Sequence, residues 1–191
     1  GGNAIDAAVA ACFALAVCEP NASGPGGGGF MTLRIGETGE IIFIDFREVA
    51  PMNATPDMYP LDEDGNVIGN VKAEGGLSVA VPGEVAGLLH ILEEYGTMSR
   101  QEVLQPAIDL ATNGFVVTPK FASIVKDAYD LMQKYPELGK LYLKDGLPPE
   151  VGDYIKNPDL AKTLQIIADK GVDGFYKGEI AEAIVESAKK Y

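Results

Sequence analysis

The hydrophobic pattern of the first fifty residues predicts one helix followed by a β-hairpin. Residues 3–17 are rich in alanine and apolar almost all round, which indicates a buried helix, and Asn3 is suited to cap its first N–H groups. Two runs of β-branched and aromatic residues follow at 30–35 and 40–46, joined by a short connection that contains glycine. The second run is apolar on both faces, so we expect a hairpin that is covered on both sides.

The remainder of the chain is predicted to be a loop, one short strand and a series of helices. Residues 49–76 carry several prolines and little periodicity, which is typical of a surface loop, and 77–81 predict a strand. Capping residues, prolines and glycines then delimit five helical segments, at 82–95, 99–114, 118–135, 157–171 and 178–190. We expect Pro106 to interrupt or kink the second of these helices.

These elements predict an α+β fold in a single unit. Residues 1–81 form a mixed helix and strand part, and residues 82–191 form a mainly helical part. The chain of 191 residues is 47% hydrophobic and 23% charged, which is ordinary for a globular domain with one core.

The charge balance and the metal-binding residue types exclude several classes of function. A formal net charge of −13 argues against binding to nucleic acid or to an anionic membrane. Cys12 and Cys18 lie six apart in a predicted helix and project in different directions, so we expect no disulfide between them. His90 is the only histidine and has no partners at metal spacing, and the acidic turn at 62–66 lacks the full ligand series of a calcium loop. We therefore expect no metal.

Arg47 is the candidate binding residue, because it follows directly after the second predicted strand. A guanidinium group offers a planar fork that matches a carboxylate, and a buried hairpin is a rigid support for it. The neighbouring Glu48 could hold Arg47 in place. Arg47 could instead form a buried structural ion pair with Glu48, and the residues alone leave both interpretations open.

The glycine run before the hairpin satisfies the spacing of a dinucleotide fingerprint, at Gly24, Gly26 and Gly29. That fingerprint needs a strand before it and a helix after it, whereas here a helix precedes and a strand follows. Nucleotide binding is therefore not expected. Close packing of the glycine backbone against the core or against another subunit is the favoured interpretation.

Five segments in the same order resemble the gamma-glutamyltranspeptidase family of N-terminal-nucleophile hydrolases. They are GNAIDAAVA at 2–10, GGGGFM at 26–31, IDFRE at 44–48, VPGEVAG at 81–87 and FYKGEIA at 175–181. The resemblance implies a partial αββα sandwich fold. It also implies that Arg47 clasps the α-carboxylate of a γ-glutamyl substrate, with Glu48 as its supporting partner.

The same resemblance implies that this chain is part of a large subunit whose partner is a small subunit of the same precursor. In the family the nucleophile is the threonine that begins the small subunit, so no catalytic residue is expected in this chain, which alone would be inactive. The reaction implied is cleavage of glutathione-type γ-glutamyl amides, with transfer to water or to an acceptor amine and without a cofactor. A typical bacterial member would be periplasmic or secreted.

The residues and the resemblance leave alternative functions open. Acylases and poly-γ-glutamate transpeptidases share the same scaffold, so the resemblance leaves the substrate undecided. A different class of function is a catalytically silent structural or assembly domain, in which Arg47 would belong to a buried ion pair.

Overall fold

The computed structural model describes all 191 residues and contains nine α-helices and four short strands. The helices are α1 (Ala4–Cys18), α2 (Glu84–Tyr95), α3 (Arg100–Asn113), α4 (Pro119–Asp127), α5 (Tyr129–Lys134), α6 (Pro136–Tyr142), α7 (Pro158–Lys170), α8 (Val172–Tyr176) and α9 (Glu179–Lys190). The strands are β1 (Phe30–Arg34), β2 (Ile41–Asp45), β3 (Phe115–Val116) and β4 (Tyr154–Ile155). They form two antiparallel pairs, β1 with β2 and β3 with β4, so the fold mixes helices with two small sheets.

Helix α1 begins where the sequence predicts, because its first turn carries a reciprocal capping box. The Asn3 side chain accepts from the N–H groups of Ile5 and Asp6, and the Asp6 carboxylate accepts from the Asn3 N–H. The expectation that this helix is buried all round is wrong for this chain. A stripe of apolar residues at helical spacing stays exposed, and Leu15 within it is 44% exposed.

The hairpin has the predicted connection, but only one of its faces is covered. Thr32 pairs with Phe43 at the centre of the antiparallel register. Leu33 is buried, and Met31, Ile42 and Ile44 pack against the core beside it. On the other face Phe30, Ile41 and Phe43 are 57%, 70% and 62% exposed, so the expected cover on both sides is absent from this chain.

The segment at 77–81 differs from its prediction. Residues Gly76–Ser78 form a 3-10 turn, and Val81 makes a single bridge to Val49 in place of a strand. Helix α2 begins at Glu84, two residues after Pro82, with Gly83 as its N-cap. A strand needs a continuous partner, and the loop that contains Val49 supplies only one residue.

The helical part follows its capping signals but contains elements that the sequence pattern did not predict. Ser99 caps α3 as expected, and the helix continues through Pro106, contrary to the expected break. The predicted helix at 118–135 is divided into α4 and α5, with Ala128 between them. Strands β3 and β4 and helices α6 and α8 were not predicted. They are too short for a periodic pattern.

One hydrophobic core of 25 buried residues joins the parts of the chain on either side of residue 81. Helix α3 packs against both α7 and α1, and α2 packs beside α1. Phe13, Leu88, Leu104, Leu164 and Ile167 are among its fully buried side chains. Burial of each of these side chains stabilises the folded state by roughly 1.5–3 kcal/mol. The hairpin packs against this core, which therefore positions the hairpin and the segment after it. The division of the chain at residue 81 stays a prediction.

Candidate functional site

Arg47 lies at a cavity between the glycine run, the end of β2 and the start of α2. The cavity has a volume of about 470 Å³, and its walls include Ser23, Gly24, Gly27, Glu48, Glu84 and Tyr142. The Arg47 side chain is 56% exposed. A cationic side chain with this exposure at the wall of a cavity is available to a ligand.

Backbone contacts on both sides hold the segment that carries Arg47. Phe46 exchanges two hydrogen bonds with Gly29, at 3.0 and 3.3 Å, which extends the β1–β2 ladder by one pair. The Arg47 N–H donates to Asp45 Oδ1 at 2.9 Å, and Val49 is bridged to Val81. The backbone of Arg47 is therefore anchored, while its side chain remains free to reach into the cavity.

Three glycines allow this segment to approach its neighbours closely. A Cβ at Gly28 or at Gly83 would overlap the carbonyl oxygen of Phe46, and one at Gly87 would overlap the Phe46 ring. Gly27 accepts hydrogen bonds from the N–H groups of Gly83 and Glu84, both at 2.9 Å. The expected close packing of the glycine backbone is confirmed here. Its neighbours are residue 46 and the first turn of α2.

The Arg47 guanidinium is only partly engaged by the protein itself. Its Nε lies 3.1 Å from Glu48 Oε2, but the N–H does not point at that oxygen, so the contact is an ion pair without a hydrogen bond. The guanidinium carbon lies 5.8 Å from the centre of the Phe30 ring. Glu48 is the only carboxylate paired with this guanidinium, whose side chain is 56% exposed, so donors remain available to a bidentate carboxylate.

Glu84 is a residue of this site that the sequence reasoning did not single out. It is only 6% exposed, and its Oε2 accepts a hydrogen bond of 3.2 Å from the Gly24 N–H while its Oε1 has no partner. Burial raises the pKa of this carboxyl, the hydrogen bond from Gly24 opposes that change in part, and the negative charge of Glu48 adds to it, so that the pKa is about 7. The sequence contained one signal for this residue, a glutamate that lies between two glycines at the start of a predicted helix.

The remaining candidates lie away from this cavity. His90 is exposed on α2, and Cys12 and Cys18 are both free. Asp62 accepts hydrogen bonds from the N–H groups of Asp64 and Asn66 in an exposed turn. No group of three histidine, cysteine, aspartate or glutamate side chains is arranged to hold a metal ion, and no helix is long and apolar enough to cross a membrane.

Comparison with known proteins identifies the family. The family model described as gamma-glutamyltranspeptidase matches residues 1–191. The chain belongs to the gamma-glutamyltranspeptidase family. The resemblance inferred from the five segments is thereby confirmed.

Relatives and solved structures agree with this assignment along the whole chain. The glutathione hydrolase proenzyme of Pseudomonas sp. (strain A14) is 46% identical over 190 residues, which cover 99% of this chain and 33% of that protein. The crystal structure of Helicobacter pylori gamma-glutamyltranspeptidase superposes with a TM-score of 0.94 at 44% identity, over 100% of this chain and 54% of that one. Acylase ACY 1 proenzyme of Pseudomonas sp. (strain SE83) is 39% identical, over 97% of this chain and 34% of the relative.

These relatives are enzymes, and the curated ones are proenzymes. The chain spans about a third of the length of the curated relatives that it matches.

Proposed function

We propose that this chain is the substrate-gripping part of a gamma-glutamyltranspeptidase that cleaves γ-glutamyl amides such as glutathione. In this proposal Arg47 binds the α-carboxylate of the glutamyl group, and the glutamyl group passes to water or to an acceptor amine. The threonine nucleophile lies outside this chain, on a small subunit of the same precursor, so the chain alone is inactive. The observation that carries the proposal is the open guanidinium fork at the cavity wall.

The partners of Arg47 support this role over that of a structural ion pair. A structural arginine is normally buried with most of its donors satisfied, because an unpaired buried charge is costly. Arg47 instead keeps 56% of its side chain exposed and has one carboxylate neighbour, Glu48, which is itself 23% exposed. Glu48 thus orients the guanidinium from one edge, and the other edge is available to a substrate carboxylate.

The uncovered faces of the chain support the proposed αββα sandwich. Phe30 and Phe43 stack at 5.6 Å on the outer face of the hairpin, where both are mostly exposed. An exposed apolar sheet face is typical of a surface that packs against another layer. In the proposed assembly that layer is a sheet of the small subunit.

The test compares Arg47→Ala with the unaltered complete protein, which we propose contains this chain, in hydrolysis of a γ-glutamyl p-nitroanilide. Loss of a charge-assisted carboxylate contact should raise KM by a factor that corresponds to roughly 2–4 kcal/mol. Arg47→Lys keeps the charge but lacks the planar fork, so its KM should lie between that of Arg47→Ala and that of the unaltered protein. Arg34→Ala removes an exposed arginine at the other end of β1 and serves as the matched control.

A second substrate makes the test specific for the α-carboxylate. The p-nitroanilide of 4-aminobutyrate has the same chain and amine but lacks the carboxylate. If Arg47 binds that group, the rise in KM caused by Arg47→Ala should be much smaller with this substrate than with the γ-glutamyl substrate. An equal loss with both substrates, or an unchanged KM with the γ-glutamyl amide, would contradict the clasp.

A second candidate function is acylase activity on other amides, which the similarity to Acylase ACY 1 proenzyme favours. In that case the complete protein should hydrolyse a glutaryl amide, which has no α-amino group, at least as efficiently as the γ-glutamyl amide. The ratio of kcat/KM for these two substrates decides between the two functions.

A further inference from the structure

The outer face of the β1–β2 hairpin places an aromatic ring beside the Arg47 guanidinium. Phe30 pairs with Asp45 in the antiparallel register, so residues 43 and 47 are its diagonal neighbours on the opposite strand and its extension. The rings of Phe30 and Phe43 stack with their centres 5.6 Å apart. The guanidinium carbon of Arg47 lies 5.8 Å from the centre of the Phe30 ring. Along the hairpin, Phe30 thus has a second ring on one side and the cation on the other.

The contact with Glu48 by itself leaves the Arg47 side chain loosely held. Glu48 Oε2 lies 3.1 Å from Arg47 Nε but receives no hydrogen bond, and one ion pair leaves the end of a long side chain free to rotate. The carboxylate of Asp45 binds the Arg47 backbone, since its Oδ1 accepts from the Arg47 N–H at 2.9 Å. An aromatic ring attracts a cation that lies within about 6 Å of its centre, so the Phe30 ring supplies a second restraint on the guanidinium.

Burial within this chain does not account for Phe30. The Phe30 side chain is 57% exposed, whereas the neighbouring Met31 and Leu33 of β1 face the core. Ile41 lies on the same outer face at the far end of the hairpin, where it pairs with Arg34, and it is 70% exposed. The contact with Arg47 is what distinguishes Phe30 from Ile41.

We propose that Phe30 is a positioning residue of the carboxylate site: its ring, supported by Phe43, restrains the Arg47 guanidinium in the orientation that receives the substrate carboxylate. This role rests on the proposed function, because it concerns the group that Arg47 binds. Phe30 itself does not touch the substrate in this role. Its loss should therefore change the affinity for substrate and leave kcat unchanged.

The experiment measures KM and kcat for the γ-glutamyl p-nitroanilide with the complete protein. Phe30→Leu removes the ring but keeps an apolar side chain, and it should raise KM by a factor of about two to five, as expected for a cation–π contact at an exposed site. Phe30→Tyr keeps the ring and should keep the KM of the unaltered protein. Ile41→Ala removes an exposed apolar side chain from the same face without touching Arg47, and it should leave KM unchanged.

Two further comparisons separate positioning of Arg47 from a general disturbance of the hairpin. In the Arg47→Ala background, Phe30→Leu should raise KM no further, because the ring has no cation to restrain. With the p-nitroanilide of 4-aminobutyrate, which has no α-carboxylate, Phe30→Leu should leave KM unchanged. Both comparisons are repeated with Phe30→Met, which also lacks a ring and decides the question should Phe30→Leu fail to fold.

The outcomes distinguish failure of this role from failure of the proposed function. A raised KM in Arg47→Ala with an unchanged KM in Phe30→Leu and Phe30→Met would overturn the role of Phe30 and leave the proposed function intact. The role would also be overturned by an equal rise in Ile41→Ala, by a rise in Phe30→Tyr as large as in Phe30→Leu, or by a further rise in the Arg47→Ala background. An unchanged KM in Arg47→Ala would overturn the proposed function itself, and the role of Phe30 with it.

Discussion

The first turns of α1 and α2 each bury one carboxyl group, and the two groups have opposite ionisation behaviour. Asp6 in α1 is 2% exposed and Glu84 in α2 is 6% exposed. Burial by itself raises the pKa of both. For Asp6 the hydrogen bonds from Thr97, Asn3 and Met98 outweigh burial and lower the pKa to about 2. For Glu84 a single hydrogen-bond donor does not outweigh burial, and the pKa rises to about 7.

The difference lies in the number of donors that each carboxyl receives. Asp6 accepts from the N–H groups of Asn3, Thr97 and Met98 and from the Thr97 hydroxyl, at 2.6 to 3.1 Å. These donors belong to the first turn of α1 and to the connection between α2 and α3, so Asp6 fastens two parts of the core together. Glu84 has one donor and faces a cavity. A satisfied carboxylate stabilises the fold, whereas a partly satisfied one is available to respond to pH or ligand.

The largest effect on stability is expected from Asp6→Asn. An amide presents one acceptor oxygen where the carboxylate presents two, so some of the donors from Asn3, Thr97 and Met98 lose their partner. We expect the Tm to fall by several degrees at neutral pH. Thermal unfolding followed by circular dichroism measures this change.

The control for this variant is Asp159→Asn, in the first turn of α7, whose side chain is 91% exposed. It should leave the Tm nearly unchanged, since a solvated ion pair contributes little. The stabilisation from Asp6 should be complete above about pH 4 and should be lost as the pH falls towards about 2, because its pKa is lower in the folded than in the unfolded state. Equal acid sensitivity of Asp6→Asn and the unaltered protein would contradict this account.

An effect of the opposite sign is expected from Glu84→Gln. The pKa of Glu84 is higher in the folded protein, about 7 against an ordinary 4.5, so its ionisation should cost stability as the pH rises between these values. Above this range the variant should exceed the unaltered protein in free energy of unfolding by about 1–2 kcal/mol, since water screens part of the charge. Near pH 4 the two should be equal.

Urea unfolding at several pH values measures this difference, with Glu94→Gln as the exposed control on the same helix. A constant difference between Glu84→Gln and the unaltered protein at all pH values would mean that ionisation of Glu84 plays no part in it.

The smallest effect is expected at a capping box in an exposed position. Ser99 caps α3, where its hydroxyl accepts from the Glu102 N–H at 3.3 Å and donates to the Glu102 carboxylate at 2.7 Å. Ser99→Ala should cost about 1 kcal/mol, measured by urea unfolding. Ser123→Ala, at an exposed position within α4, should be neutral or slightly stabilising because alanine favours the helix interior. Asp6 belongs to a capping box too, but it also accepts hydrogen bonds from Thr97 and Met98. If Ser99→Ala destabilised the protein as much as Asp6→Asn, these additional hydrogen bonds would contribute nothing to stability.

Local chemistry explains which parts of this structure could be predicted from the sequence. The helix starts at Asn3, Ser99, Thr118 and Asn157 depend on side chains that bond to N–H groups two or three residues away. The β1–β2 hairpin depends on a short turn between two β-patterned runs. All of these interactions lie within a few residues of one another, and all are present as predicted.

Other features depend on contacts between distant residues and could not be inferred in this way. Residues 77–81 have the composition of a strand, but no continuous partner reaches them. Phe115 and Ile155, which lie forty positions apart, pair with each other, and no local pattern indicates this. The cover expected on both faces of the hairpin was inferred from residue type alone, and the chain supplies it on only one face.

The amino-acid sequence by itself determined the family, most helix boundaries and the choice of Arg47 as the candidate ligand-binding residue, because these follow from local motifs and their order. Only the tertiary structure decided that Arg47 lines a cavity, and that Glu84 lines the same cavity with one unpartnered oxygen. Burial and hydrogen-bond satisfaction depend on residues sixty or more positions apart, and the pKa of a carboxyl group depends on both.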